Sequence, residues 1–178
     1  RRAHVETTGP EIWEQTGGAI THFVAGIGTG GTVTGSGRYL REVSEGRVRV
    51  IGADPVGSTY SGHEPSTIVV DGVGTRWPEP NWPGIFDKSV TDEIRVIPDD
   101  RVYETVRRLA MEEGLLLGPS SGLAIAVALE VAAEGGPGDV IVAIAPDGGN
   151  NYLSKAFNDE WLASAGMNAD GFADGSSD

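Results

Sequence analysis

Apolar positions along the chain fall into short unbroken runs separated by helical stretches, with glycine at most of the changes of direction. Phe23-Val24-Ala25 is such a run and predicts a buried strand. A glycine-rich turn, Gly26 to Gly31, follows it, and a helix is expected from about Gly31 to Glu45. Val48, Val50 and Ile51 predict a second strand over residues 47–52, ending at Ala53-Asp54-Pro55. Ile94-Arg95-Val96-Ile97 predicts a third, and Val140 to Ala145 a fourth. Between these last two lie two helices. In the first, Val102, Val106, Leu109 and Ala110 share a face, Asp99 or Asp100 is the expected cap, and Gly114 the stop. The second opens at Ser120-Ser121-Gly122, runs to about Glu134 and is apolar almost all round, as a core helix is. Near the start, Thr7-Thr8-Gly9-Pro10-Glu11 predicts a further helix, with Pro10 in its first turn, Glu11 at its positive end and Gly17-Gly18 as its stop.

Strands that alternate with helices imply right-handed crossovers and a mostly parallel sheet. Strands without apolar–polar alternation are expected where helices cover both faces. The fold class is therefore α/β, a mostly parallel sheet with helices on both faces. Residues 56–90, rich in Gly, Pro and Trp, show no period and are expected to form an irregular loop of the active region. Trp77 and Trp82 suit packing of that loop over a site, ordinary loop packing or a subunit contact. From about Gly166 the chain is small, polar and acidic. The expected division is a globular unit over 1–165 and a disordered tail over 166–178.

Composition narrows the function. The 178 residues carry a net charge of −13, from 26 Asp+Glu against 13 Lys+Arg. That balance disfavours nucleic acid, whose binding needs a positive field. At 39% hydrophobic and 22% charged the chain has an ordinary globular make-up, with no apolar run of membrane-spanning length. With no cysteine, disulfides and thiolate metal sites are excluded. His4, His22 and His63 are scattered without ligand spacing, so no metal site is expected. Around Ser36 the Gly-x-Ser-x-Gly hydrolase pattern is only degenerate.

The candidate chemistry lies in the turn Gly26-Ile27-Gly28-Thr29-Gly30-Gly31-Thr32. A strand-to-helix turn of this kind presents backbone N–H groups at a helix N-terminus, where a phosphate is favoured. Thr29 and Thr32 can add hydroxyl donors. Read on these residues alone, the turn is either an anion cradle or a tight connection whose glycines allow close packing. Gly26, Gly28 and Gly31 also match the dinucleotide fingerprint G-x-G-x-x-G, with Asp54 placed where a ribose-binding acid can lie. An NAD-binding domain and a non-catalytic partner-binding domain therefore stand as alternatives.

Gly-Thr-Gly-Gly-Thr-Val-Thr-Gly at 28–35 resembles the phosphate loop of fold type II pyridoxal-phosphate enzymes, within them the cystathionine β-synthase and cysteine synthase family. Three further segments agree in order: Asp71-Gly72-Val73-Gly74, Glu113-Gly114-Leu115-Leu116 leading to Ser120-Ser121-Gly122, and Pro146-Asp147 with Asn151-Tyr152-Leu153-Ser154-Lys155. The resemblance implies pyridoxal 5′-phosphate as cofactor, held at its phosphate by Gly28, Thr29, Gly30, Gly31 and Thr32. It implies a hydrogen bond from Ser120 to the pyridine nitrogen, against the plainer use of Ser120 as a helix cap. Gly72 and Gly74 would line the substrate side, and Tyr60, with Ser61 and Gly62, a mobile loop near the sulfur substrate. Asp147 would shape the ring end of the site or cap the helix after it.

The implied reaction is β-replacement on serine or an activated serine: with homocysteine in the cystathionine β-synthase branch, with sulfide in the cysteine synthase branch. The segments 54–62 and 151–161 look closer to the first branch. The family's partners are small amino-acid substrates, its full-length enzymes are homodimers, and its expected location is the cytoplasm. Its Schiff-base lysine and substrate-carboxylate loop have no counterpart here. Lys88 and Lys155, the only lysines, stand in other contexts. The chain is therefore expected to be the C-terminal part of a catalytic core, inactive alone and with apolar surface exposed.

Overall fold

The computed structural model describes residues 2–167. Four strands, β1 (His22–Gly26), β2 (Arg49–Pro55), β3 (Glu93–Ile97) and β4 (Ile141–Ala143), form one parallel sheet in the order β3-β2-β1-β4. Among the described residues six α-helices accompany them: α1 (Arg2–Glu6), α2 (Thr8–Gln15), α3 (Gly31–Val43), α4 (Asp99–Glu112), α5 (Pro119–Glu134) and α6 (Asp159–Ser164). No described helix is long and apolar enough to cross a membrane.

Successive strand residues go to opposite sides. Phe23, Ala25 and Val50 pack with Ile12 of α2 and Val33 and Leu40 of α3. Val24, Ile51 and Ala53 pack with Val102 and Val106 of α4 and Leu123 and Val127 of α5. Both faces are thus covered, which is why the strands read as unbroken apolar runs. Phe23, Leu40, Ile51 and Leu123 are fully buried; each such side chain contributes roughly 1.5–3 kcal/mol relative to exposure.

The order of the sheet sets where a ligand can sit. The chain passes from β1 through α3 to β2 on one side of β1, then returns from β3 through α4 and α5 to β4 on the other side. The connections after β1 and β4 therefore diverge at neighbouring strands, and such a crevice is the favoured ligand position of an open α/β sheet.

Several local details differ from the sequence expectations. Helix α1 is additional; its five polar-rich residues carry no apolar period. Neither Asp99 nor Asp100 caps α4: the N-cap position is Pro98, with no side-chain cap, and Asp99 lies inside the first turn. Gly114 does end α4, at φ +68°. The 56–90 segment contains two short 3-10 turns, Glu79–Asn81 and Lys88–Val90. Met167 packs into the α4–α5 core, and the rest of the expected tail, 168–178, lies outside the described residues.

Candidate functional site

The turn after β1 leaves a run of unused donors. Ile27 N–H donates to the Ala53 carbonyl at 3.0 Å, and the next backbone bond is Thr34 N–H to the Gly30 carbonyl at 3.0 Å. Between them, the N–H groups of residues 28–33 meet no acceptor among the described residues. Gly30 is the N-cap of α3 at φ +83°, a left-handed conformation that glycine adopts without strain. The turn and the positive end of α3 thus face one cavity of about 250 Å³. Residues 28–32, with Ala25 and Gly26 at the end of β1, make one wall, Gly72 and Val73 a second, and Ser120 with Ile144 and Pro146 the rest. Thr29 is exposed, and the Thr32 hydroxyl lies 3.4 Å from His4 Nε2 on α1.

Ser120 reaches the cavity from the N-terminus of α5. It is not the cap of that helix: the N-cap position is Gly118, with no side-chain cap of its own. Asp147, just after β4, takes that part from across the crevice. Its Oδ2 accepts from Ser120 N–H at 3.2 Å, and its Oδ1 accepts from Ser121 N–H at 2.9 Å and from the Ser121 hydroxyl. Asp147 therefore caps the helix before it in the chain. The Ser120 hydroxyl is left with no partner among the described residues although the residue is only 5% exposed. Removing the clamp by Asp147→Ala is expected to destabilise the fold by about 1–2 kcal/mol. A drop in the urea midpoint at unchanged slope measures it; an unchanged midpoint would show that α5 needs no cap from Asp147.

The glycines of the turn serve the fold as well as the cavity. A Cβ at Gly28 would stand 2.7 Å from the Gly72 carbonyl oxygen, and one at Gly26 would stand 2.9 Å from Val73 Cγ1. Gly74 N–H donates to the Ile27 carbonyl at 2.7 Å. The segment 71–74 therefore lies flush against the turn only because positions 26 and 28 lack side chains. Gly72 and Gly74 have φ of +83° and +79°. Gly72 faces Ser120, whose Oγ would be 3.9 Å from an added Cβ.

Of the remaining candidates, Tyr60 is fully buried and its hydroxyl donates to the Gly28 carbonyl at 2.7 Å. Asp54 is also fully buried; its Oδ2 accepts from Ser61 N–H at 3.1 Å and its Oδ1 has no partner. Burial pushes its carboxyl up to about 6, against the lowering effect of the neighbouring Ser58 and Ser61. It does not line the cavity of the glycine-rich turn, so the dinucleotide alternative loses its ribose acid. Neither lysine lines that cavity. Lys155 Nζ pairs with Asp71 Oδ2 at 2.7 Å, and Lys88 Nζ lies 5.5 Å from the centre of the Trp82 ring. Val73, Ile144 and Pro146 carry no chemical signature in the sequence. Ile144 and Pro146 are marked by their position just after β4, and Val73 by lying between Gly72 and Gly74 against the turn.

The model of one protein family, described as pyridoxal-phosphate dependent enzyme, matches residues 1–147. The chain belongs to the pyridoxal-phosphate dependent enzyme family. It is 46% identical over 153 residues to cysteine synthase B of Escherichia coli (strain K12), a match covering 85% of this chain and 46% of that protein. It is 40% identical over 152 residues to the O-acetylserine dependent cystathionine beta-synthase of Bacillus subtilis (strain 168), covering 85% of this chain and 48% of that one. The crystal structure of O-acetylserine dependent cystathionine beta-synthase from Helicobacter pylori matches with a TM-score of 0.77 and 38% identity, covering 86% of this chain and 49% of the other. The chain spans about half the length of the curated relatives it matches. The family and fold expectations are borne out, and the cofactor is the one the resemblance implied.

The residues present fit that cofactor. A run of six free amides at the positive end of α3 suits a phosphate ester. On a separate wall of the cavity, the unpartnered Ser120 hydroxyl suits a ring nitrogen, and Val73 and Ile144 give the cavity apolar surface for a planar ring.

Proposed function

We propose that this chain is the phosphate-holding part of a pyridoxal-phosphate enzyme that replaces the β-substituent of serine or an activated serine with a sulfur nucleophile. The observation that carries the reading is the meeting, in one cavity, of the free amides of residues 28–32 with the unpartnered hydroxyl of Ser120. When bound, the cofactor supplies an electron sink that eases loss of the Cα proton and of the β-substituent.

The backbone of Gly28, Thr29, Gly30, Gly31 and Thr32 anchors the phosphate. Ser120 offers its hydroxyl to the ring nitrogen at the positive end of α5. A neutral hydroxyl in that field does not favour a protonated, positive ring nitrogen as a carboxylate would. Electron withdrawal is thereby moderated, which suits rapid β-elimination more than long-lived carbanion chemistry. Gly72 and Gly74 bring bare backbone to the substrate side, where a side chain would crowd the bound amino acid.

For the nucleophile, homocysteine is the first reading, supported by the segments 54–62 and 151–161. Sulfide is the second, supported by the 46% identity to a cysteine synthase. Because neither Lys88 nor Lys155 lines the cavity, the covalent lysine is assigned to a part of the protein outside this chain. The chain alone is then inactive, and the full enzyme is read as a homodimer acting on small amino acids.

Titrating the purified chain with pyridoxal phosphate, followed by tryptophan fluorescence, is expected to give saturable binding without turnover. Ser120→Ala is expected to weaken it about three- to tenfold, the effect of one lost hydrogen bond. A folded chain that does not bind overturns the reading of the site. Turnover by the chain alone overturns the assignment of the lysine.

A further inference from the structure

The bond from the Tyr60 hydroxyl to the Gly28 carbonyl, 2.7 Å long, spans 32 positions of the chain. Its consequence follows from the planarity of a trans peptide, in which the carbonyl and the next N–H point in opposite directions. With the Gly28 carbonyl held on the Tyr60 side, the Thr29 N–H is turned the other way. That N–H has no acceptor among the described residues. Gly28 has no Cβ to resist rotation of this peptide, so its orientation needs an outside hold.

The hold is itself braced. The Tyr60 ring meets Phe86 edge-on, with centroids 4.8 Å apart, and Trp82 at 5.0 Å. Trp82 is anchored by its Nε1–H, which lies 3.0 Å from both Thr59 Oγ1 and the Trp77 carbonyl. Phe86 packs directly under the turn: a Cβ at Gly30 would stand 2.5 Å from Phe86 Cβ and 2.8 Å from its Cα. The next residue, Asp87, donates its N–H to Thr34 Oγ1 on α3 at 3.0 Å. The aperiodic 56–90 segment is therefore an aromatic bracket beneath the turn.

We propose that Tyr60, backed by Trp82 and Phe86, is a positioning residue that fixes the Gly28–Thr29 peptide with its N–H toward the bound phosphate. This rests on the reading of residues 28–32 as the phosphate anchor. It assigns the Tyr60 hydroxyl to the cofactor's phosphate end rather than to the substrate, and it makes Tyr60 matter only for ligands that carry a phosphate.

The test compares pyridoxine 5′-phosphate with pyridoxine in the wild-type chain and in Tyr60→Phe. Both ligands lack the aldehyde, so neither forms an adduct with Lys88 or Lys155. Tyr60→Phe is expected to weaken pyridoxine 5′-phosphate about five- to tenfold, the effect of one lost hydrogen bond, and to leave pyridoxine unchanged. Phe86→Leu, which loosens the bracket and keeps the hydroxyl, is expected to act in the same direction with a smaller loss. Equal weakening of both ligands by Tyr60→Phe would mean a general packing role and overturn the proposal. So would unchanged binding of both, with the phosphate anchor still standing. A wild-type chain that binds the phosphate ester no better than pyridoxine would remove the anchor reading, and this inference with it.

Discussion

Gly30→Asp is expected to abolish cofactor binding. Three effects act together. The backbone at residue 30 has φ +83°, which costs a non-glycine residue roughly 1–2 kcal/mol, with aspartate at the low end. The new Cβ would stand 2.5 Å from Phe86 Cβ and 2.8 Å from Phe86 Cα, so either the turn or the bracket must shift. Finally, a carboxylate would share the cavity with the phosphate. Like charges about 4–6 Å apart in a partly screened site repel by roughly 3–4 kcal/mol, a loss of about a hundredfold or more in affinity. Gly30→Ala carries the strain and the clash without the charge. Thr29→Asp, at an exposed position, carries the charge without the strain. Fluorescence titrations of the three variants, with circular dichroism to confirm the fold, separate the contributions. Wild-type affinity in Thr29→Asp would mean that no anion sits at this turn.

The second large effect concerns stability against pH. In the folded chain Asp54 titrates at about 6, against an ordinary value of 3.8, because burial penalises its charge. The folded state therefore holds this proton more tightly than the unfolded state. The resulting stabilisation is fully present below about pH 4 and is lost as pH rises through about 6. The full swing for this one group is at most about 3 kcal/mol. Asp54→Asn keeps an oxygen for Ser61 N–H and carries no charge. Its stability relative to the wild-type chain is expected to rise between pH 4 and pH 7 by up to that amount. Carboxylates held low, such as Asp87 and Asp139, titrate alike in both chains and cancel in the difference. Urea unfolding of both proteins at four pH values gives the curve. A flat difference would mean that Asp54 ionises in the folded chain as it does in water.

These two residues mark what the sequence made legible and what it did not. Gly30 lies in a motif whose proposed role as a phosphate anchor follows from local geometry: a strand end, missing Cβ atoms and a helix start. The strands and the long helices were legible for the same reason, since their signals are periodic and local. Asp54 was equally visible, but its position at a strand end does not say which way the side chain turns. It turns toward Ser61 rather than into the crevice. The Asp147 clamp on α5 spans 26 to 27 positions and the Tyr60 hold 32, with no pattern linking the partners. The aromatic bracket is built from three rings at uneven spacing, so the 56–90 segment shows no period even though Tyr60, Trp82 and Phe86 pack together. Helix α1 escaped because five mostly polar residues contain too little apolar pattern to detect.

The sheet order also has a consequence in time. Thr21, at the entry to β1, pairs with Val140, at the entry to β4, across 119 positions. A chain folding as it is synthesised can pair β1 with β2 and β2 with β3 long before β4 exists. In that interval the β1 edge reserved for β4 stays open beside the apolar Phe23-Val24-Ala25, a template for pairing with other chains. Contacts of such long separation are slow to form. The cavity walls come from both sides of this seam, with the turn after β1, Ser120 on α5, and Ile144 and Pro146 after β4. A ligand that recognises the finished cavity therefore draws molecules away from the open-edged ensemble by mass action. On the proposed reading of the cavity, pyridoxal phosphate present during refolding is expected to act first on the yield of folded chain, before any question of turnover arises.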